Sequence, residues 1–217
     1  MTRTYMVKSI FGPTIQGEGS MVGTPCVFVR FAGCNMWDGR PETRAASACP
    51  YCDTDFFGGE KMTAVQIAQS AAFTSGSSSI LDVVLSGGEP LLQVDQKLVD
   101  ELIRAGLRVH VETNGTRELP FADDGSVHVS MSPKVPRDQI RLARADDVKV
   151  LWPHPDPRIT PQAFESFPAR HRFLQPIGTD DGVIEANVAS AIRELGRLDG
   201  IPRWRLSMQV HKLVGVP

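Results

Sequence analysis

The chain has 217 residues, 41% hydrophobic and 22% charged, the balance of a globular protein able to bury a full core. A formal net charge of -2 argues against a broad electrostatic footprint for nucleic acid or acidic lipid. No apolar stretch nears the roughly 20 residues of a bilayer span, and MTRTYMVKSIFG lacks a signal-peptide apolar core, so a cytoplasmic chain with reduced thiols is expected.

Strands and helices alternate along the sequence. Val7–Phe11 and Cys26–Phe31 are rich in β-branched and aromatic residues and read as strands. A long Gly/Pro/Asn-rich loop follows to about Gly59. Thr63 is placed to cap a helix through AVQIAQSAA. Leu81–Leu85 reads as a strand. Val94–Ala105 has helical periodicity, with Leu98, Leu102 and Ala105 on one side and Gly106 to cap its end. Arg108–Glu112, Val127–Met131, Val148–Trp152, Arg172–Pro176 and Arg203–Ser207 read as further strands. Pro161–Ser166 suggests a short helix, and a longer one is expected from about Val183 to Leu195.

Strands alternating with helices imply βαβ units and a mostly parallel sheet. Several connecting helices are short or missing, which suits an incomplete barrel better than a closed one. No repeat or linker divides the chain, so residues 1–217 are expected to form one domain. In such folds the active site lies at the C-terminal ends of the strands. The polar clusters SGGEP, ETNG, SPK and LQPIG fall at those ends.

Cys34, Cys49 and Cys52 have the spacing C-x14-C-x2-C. Three thiolates are one ligand short of a closed tetrahedral metal site or a four-cysteine cluster. They suit a cluster with one open position, and a zinc site with a histidine as fourth ligand stays open as a non-enzymatic alternative. Cys26 lies inside a strand and is expected to be a buried structural thiol. Each polar cluster also has a bland reading: a strand-to-helix turn at SGGEP, a capped strand end at Glu112, a solvated Lys134, a turn at Gln175-Pro176. Alternation points Arg30 the same way as Cys26 and Phe28, inward, where its planar fork suits a carboxylate.

Cys49-Pro50-Tyr51-Cys52 puts an aromatic residue directly before the third cysteine. This resembles the radical S-adenosylmethionine (SAM) family, whose usual signature is C-x3-C-x2-C; here the first gap is enlarged to fourteen residues. SGGEP resembles that family's GGE segment, which lies along the methionyl amino group of SAM. Gln16-Gly17-Glu18-Gly19, Arg30-Phe31-Ala32-Gly33-Cys34-Asn35, Cys52-Asp53-Thr54-Asp55 and the segment MQVHKLVGVP are similar to motifs of one branch, the 7-carboxy-7-deazaguanine synthase family. The resemblance covers nearly the whole chain. A glycyl-radical activase, another small radical SAM enzyme, fits the QGEG segment and Arg30 less well.

The resemblance implies an α/β fold, an incomplete (βα)6-type partial TIM barrel with an enlarged cluster loop. It implies a lyase that converts 6-carboxy-5,6,7,8-tetrahydropterin to 7-carboxy-7-deazaguanine with loss of ammonia, on the route to queuosine. Cys34, Cys49 and Cys52 would hold a [4Fe-4S] cluster whose fourth iron takes SAM. Reductive cleavage of SAM would give a 5′-deoxyadenosyl radical that takes hydrogen from C6 of the pterin. SAM would meet Tyr51, Cys52, Asp53, Gly88, Glu112, Ser132, Pro133, Lys134, Gln175, Pro176, Ile177 and Gly178. The pterin would meet Ile15, Gln16, Gly17, Glu18, Arg30, Ser86, His211 and the carboxylate of Pro217. Thr54 would bind Mg²⁺, with Asp53 and Asp55 as weaker candidates. A homodimer and a flavodoxin-like electron donor are implied as partners.

Overall fold

The computed structural model describes residues 3–76, 79–178, 184–198 and 203–217. Nine strands form one sheet that does not close. β1 (Thr4–Ile15) lies antiparallel between β2 (Pro25–Phe31) and β3 (Glu60–Thr63). From β2 the sheet runs parallel through β4 (Asp82–Gly87), β5 (Arg108–Thr113), β6 (Val127–Met131), β7 (Ala145–Trp152), β8 (Ala169–Pro176) and β9 (Trp204–Leu206). The order is β3-β1-β2-β4-β5-β6-β7-β8-β9, an incomplete parallel barrel with an antiparallel flap at one edge.

The period of two divides the strands cleanly between faces. Val27, Val29 and Phe31 of β2, Val83 and Leu85 of β4, and Val109 and Val111 of β5 point outward into the apolar core. There they meet Ile67 and Ala71 of α1 (Ala64–Ser75) and Leu98 and Leu102 of α2 (Gln96–Arg104). Each such side chain, fully buried, contributes about 1.5–3 kcal/mol. The other face of the sheet carries polar groups, among them Arg30 of β2, His110 and Glu112 of β5, and Asp147 and Lys149 of β7.

Thr63 caps α1 as expected, and Gln66 returns a bond to the Thr63 N–H in a complete capping box. α2 is shorter than its apolar pattern. The Asp95 carboxylate accepts the Leu98 N–H at 3.0 Å and sets the helix start after Val94. The helix ends at Arg104, which turns Ala105 to solvent; Gly106, at φ 83°, lies one residue beyond the cap. β3 has no apolar alternation and was not expected; it forms because edge strand β1 offers free backbone groups to EKMT. Only 3-10 turns or loops join β5 to β6, β6 to β7 and β7 to β8. α3 (Glu185–Leu195) precedes β9; the expected start at Val183 lies outside the described residues. A short helix, α4 (Val210–Val214), follows β9. Among the described residues no helix is long and apolar enough to cross a membrane.

Candidate active site

The parallel strands end on one rim, and that rim closes a cavity of about 320 Å³. The ends of β2 and β4 press together at Gly88. A Cβ there would stand 2.0 Å from the Gly33 carbonyl oxygen, so only glycine lets the two chains meet beside Cys34. The next residue, Glu89, is fully buried and braces the rim. Its carboxylate accepts from the Leu91 N–H (3.0 Å), the Thr113 hydroxyl (2.8 Å) and the Asn114 N–H (2.7 Å), while its own N–H donates to Gly33 (3.0 Å). Asn114 continues the brace to Asn35, beside the first cysteine, at 2.9 Å.

The three cysteines lie on a loop between β2 and β3 that has its own small core. Trp37 is 7% exposed, meets Phe56 edge-on at 5.5 Å and donates its indole N–H to the Thr43 hydroxyl at 3.0 Å. A 3-10 turn at Pro41–Ala46 lies between Trp37 and the CPYC pair. Cys34, Cys49 and Cys52 all line the cavity. Burial pushes each thiol up, Cys49 to about 11; neighbouring thiolate charge adds to that at Cys34 and Cys49 and Asp53 adds to it at Cys52, while Lys134 opposes it at Cys49 and Cys52. A bound cation would favour the ionised form of three such thiols. Among the described residues, however, no three His, Cys, Asp or Glu side chains close around a single-ion position. One zinc ion, at about 2.3 Å from each sulfur, would need them pinched together. A cubane takes each thiolate on a different iron. The cysteines fit the cluster.

The opposite wall is built of buried charge. Glu18, after β1, and Glu112, at the end of β5, both accept from the Lys149 ammonium, at 2.6 and 2.8 Å. Gln16 donates to the other Glu112 oxygen at 3.0 Å. Burial pushes Glu18 up, but Lys149 outweighs it and holds the carboxyl down at about 2; at Glu112 burial wins and the shift is upward. Beneath them Asp147 accepts from the Ser20 N–H (2.7 Å) and hydroxyl (2.8 Å), which fixes the turn after the QGEG segment.

Arg30 does face inward. Its guanidinium lies 5.1 Å above the Phe11 ring, Phe11 stacks on Phe28 at 5.3 Å, and its buried Nε has no hydrogen-bond partner. The C-terminal segment packs over this wall. The Val210 N–H donates to Gly17 (3.0 Å), Gln209 donates to Glu18 (3.0 Å), Lys212 pairs with Asp53, and the Pro217 carbonyl accepts from Thr14 (2.8 Å). Cys26 is fully buried away from the three cavity thiols, and burial, then Asp82, push it to about 12.

Of the residues expected at the site, Ile15, Gln16, Glu18, Arg30, Tyr51, Asp53, Thr54, Ser86, Gly88, Glu112, Ser132, Lys134, His211 and Pro217 line the one cavity with the cysteines, as does Gln175 through Gly178. Two do not. Gly17 packs under His211, where a Cβ would stand 1.9 Å from the ring, and Pro133 is buried behind Ser132 and Lys134. Asp53 is engaged by Lys212 and Asp55 by Lys8. Sequence reasoning missed Lys149, Trp37, Phe11, Leu151 and Gln209, all on the cavity wall. The signal for Lys149 was a charge inside an otherwise apolar strand, VKVLW.

No family model matches the chain. Curated relatives do, over nearly all of it. It is 38% identical to the 7-carboxy-7-deazaguanine synthase of Nitratidesulfovibrio vulgaris, covering 99% of this chain and 100% of that one. It is 39% identical to that of Bordetella pertussis and 41% to that of Bradyrhizobium diazoefficiens, each over 98% of this chain and 99% of the relative. Among solved structures, QueE from Escherichia coli shares the fold, with TM-score 0.68 and 22% identity over 96% of this chain and 95% of that one. A set of relatives this similar over their whole length settles the classification: the chain belongs to the 7-carboxy-7-deazaguanine synthase family.

Proposed function

We propose that residues 1–217 form one radical SAM domain that converts 6-carboxy-5,6,7,8-tetrahydropterin to 7-carboxy-7-deazaguanine with release of ammonia. The observation that carries this is a single cavity with three thiols on one wall and, on another, a half-buried arginine whose buried Nε has no hydrogen-bond partner. Cys34, Cys49 and Cys52 would hold a [4Fe-4S] cluster, which with SAM supplies the radical that activates C6 of the pterin.

The chain's own residues bind and orient. Arg30, desolvated and lacking a partner at Nε, offers its fork to the substrate carboxylate. The side-chain amide of Gln16 and the Glu18 carboxylate face a pterin's donor–acceptor edge. Ser132 and Lys134, joined at 2.7 Å, and Glu112 offer a hydroxyl, an ammonium and an acceptor to the polar ends of SAM. Thr54 exposes a hard oxygen to the cavity, suited to Mg²⁺ that keeps water and substrate oxygens as its other ligands. The C-terminal segment covers the pterin side and excludes water. A homodimer and a flavodoxin-like reductase complete the reading as partners.

Anaerobically reconstituted protein is expected to carry about four irons per chain, to cleave SAM on reduction and to form 7-carboxy-7-deazaguanine from the pterin. Stoichiometric zinc without iron, or SAM cleavage with no product from this pterin, would sink the reading.

A further inference from the structure

Lys149 lies at the middle of β7, 1% exposed, and lines the cavity. A buried ammonium costs several kcal/mol unless it is fully paired. This one is paired twice, with one acid from the segment after β1 and one from the end of β5. Each acid uses its second oxygen elsewhere. Glu18 accepts from Gln209, on the segment before α4, and Glu112 accepts from Gln16. The lysine is therefore the centre of a chain Gln209–Glu18–Lys149–Glu112–Gln16. Lys134 from the loop after β6, His211 from α4, His128 of β6 and Asp147 of β7 are the other charged or titratable groups around it. None of the three cysteines is part of this chain.

We propose that Lys149 is a positioning residue: it keeps Glu18 and Glu112 ionised side by side and so couples the acid that faces the pterin to the acid that faces SAM. This rests on the functional reading above and adds to it a residue that acts through two carboxylates. Without the ammonium, two like charges in a dry site cannot both stay ionised, and one takes a proton. A protonated acid is a poor acceptor for the ligand N–H or hydroxyl it should meet. The defect is then pH-dependent, which a merely structural loss would not be.

The test is equilibrium binding of SAM and of 6-carboxytetrahydropterin, without reductant, to reconstituted wild type, Lys149→Met and Lys149→Met/Glu112→Gln from pH 6 to 9. His211 is shifted downward chiefly by burial and in part by Lys149, so its contribution cancels between Lys149→Met and the double variant, which both lack that ammonium. Lys149→Met is expected to weaken both ligands at least about tenfold at pH 7. Its pterin affinity relative to wild type should rise with pH by up to about tenfold per unit, the limit for one proton. The double variant has the net charge of the wild-type trio, so it should fold and lose that step, with SAM still weak. Should Lys149→Met not fold, Lys149→Arg replaces it and must track wild type across the pH range. A Lys149→Met profile parallel to wild type, an undiminished step in the double variant, or a step in Lys149→Arg overturns the role. Wild type binding neither ligand overturns both this role and the functional reading.

Discussion

The two walls of the cavity are made in opposite ways. The cysteine wall is a loop of nearly thirty residues that leaves β2 and returns at β3, held by Trp37, Phe56 and a few polar turns. The acid wall is set by strand register, with Glu112 and Lys149 on central strands and Glu18 clamped between them and Gln209. One wall has spare coordinating capacity; the other is already satisfied within the protein. The difference indicates that the thiols of the loop are left for a ligand, whereas the charges of the acid wall are paired before any ligand arrives.

Removing a thiol should separate the two walls most sharply. Cys34→Ala, Cys49→Ala or Cys52→Ala is expected to abolish product formation and to lower iron content below one cluster per chain. Thermal stability of the metal-free protein should change by no more than about 2–4 °C, the effect of about 1 kcal/mol in a chain this size. Iron analysis, product assay and calorimetry check this together. A metal-free cysteine variant that failed to fold would show that the loop is structural after all.

Glu89 joins the walls, and its loss is the next largest effect. Glu89→Ala leaves three buried donors without an acceptor: the Leu91 and Asn114 N–H groups and the Thr113 hydroxyl. Orphaned donors of this kind cost about 1–3 kcal/mol each, offset here by relief of burying a charge, so a net loss of about 3 kcal/mol is expected. Calorimetry should show a fall of about 6–12 °C in Tm. Because Asn114 also holds Asn35, the variant should lose iron faster on dilution than wild type. A stable variant with normal iron retention would mean that β4 and β5 do not need this brace.

How much of each wall could be read in the sequence follows the same division. The cysteine wall was legible because chemistry forces residue type and spacing: a thiol, an aromatic, a thiol. The strand-end motifs were legible because parallel strands deliver their termini to one rim. The acid wall was only half legible. Glu18 and Glu112 lie in motifs, but Lys149 sits in a strand whose neighbours are valine and leucine, and a single sequence does not reveal which face a lone lysine takes or which acids await it. α2 was overrun at both ends because apolar periodicity ignores the Asp95 cap. β3 was missed because an edge strand needs only a free partner edge, which composition does not record.

The smallest effect tests the floor under the acid wall. His128 lies 3.6 Å from Asp147, whose carboxylate in turn fixes Ser20 and the turn beyond Glu18. Burial pulls the His128 ring down, but Asp147, Asp146 and Glu112 outweigh it and the net shift is upward. A raised imidazole stabilises the fold fully below its ordinary value near 6.5, and that contribution is lost as pH rises through the raised folded value. His110, whose ring centre is 5.3 Å away, shifts downward, chiefly from burial, and works in the opposite sense. Subtracting His128→Gln from wild type removes most of the His110 contribution. The stability difference should therefore be largest at pH 6, about 1 kcal/mol or less, and shrink toward pH 9. A difference that stays constant with pH would mean that His128 is a neutral spacer, and the acid wall would then owe its order to register and Lys149 alone.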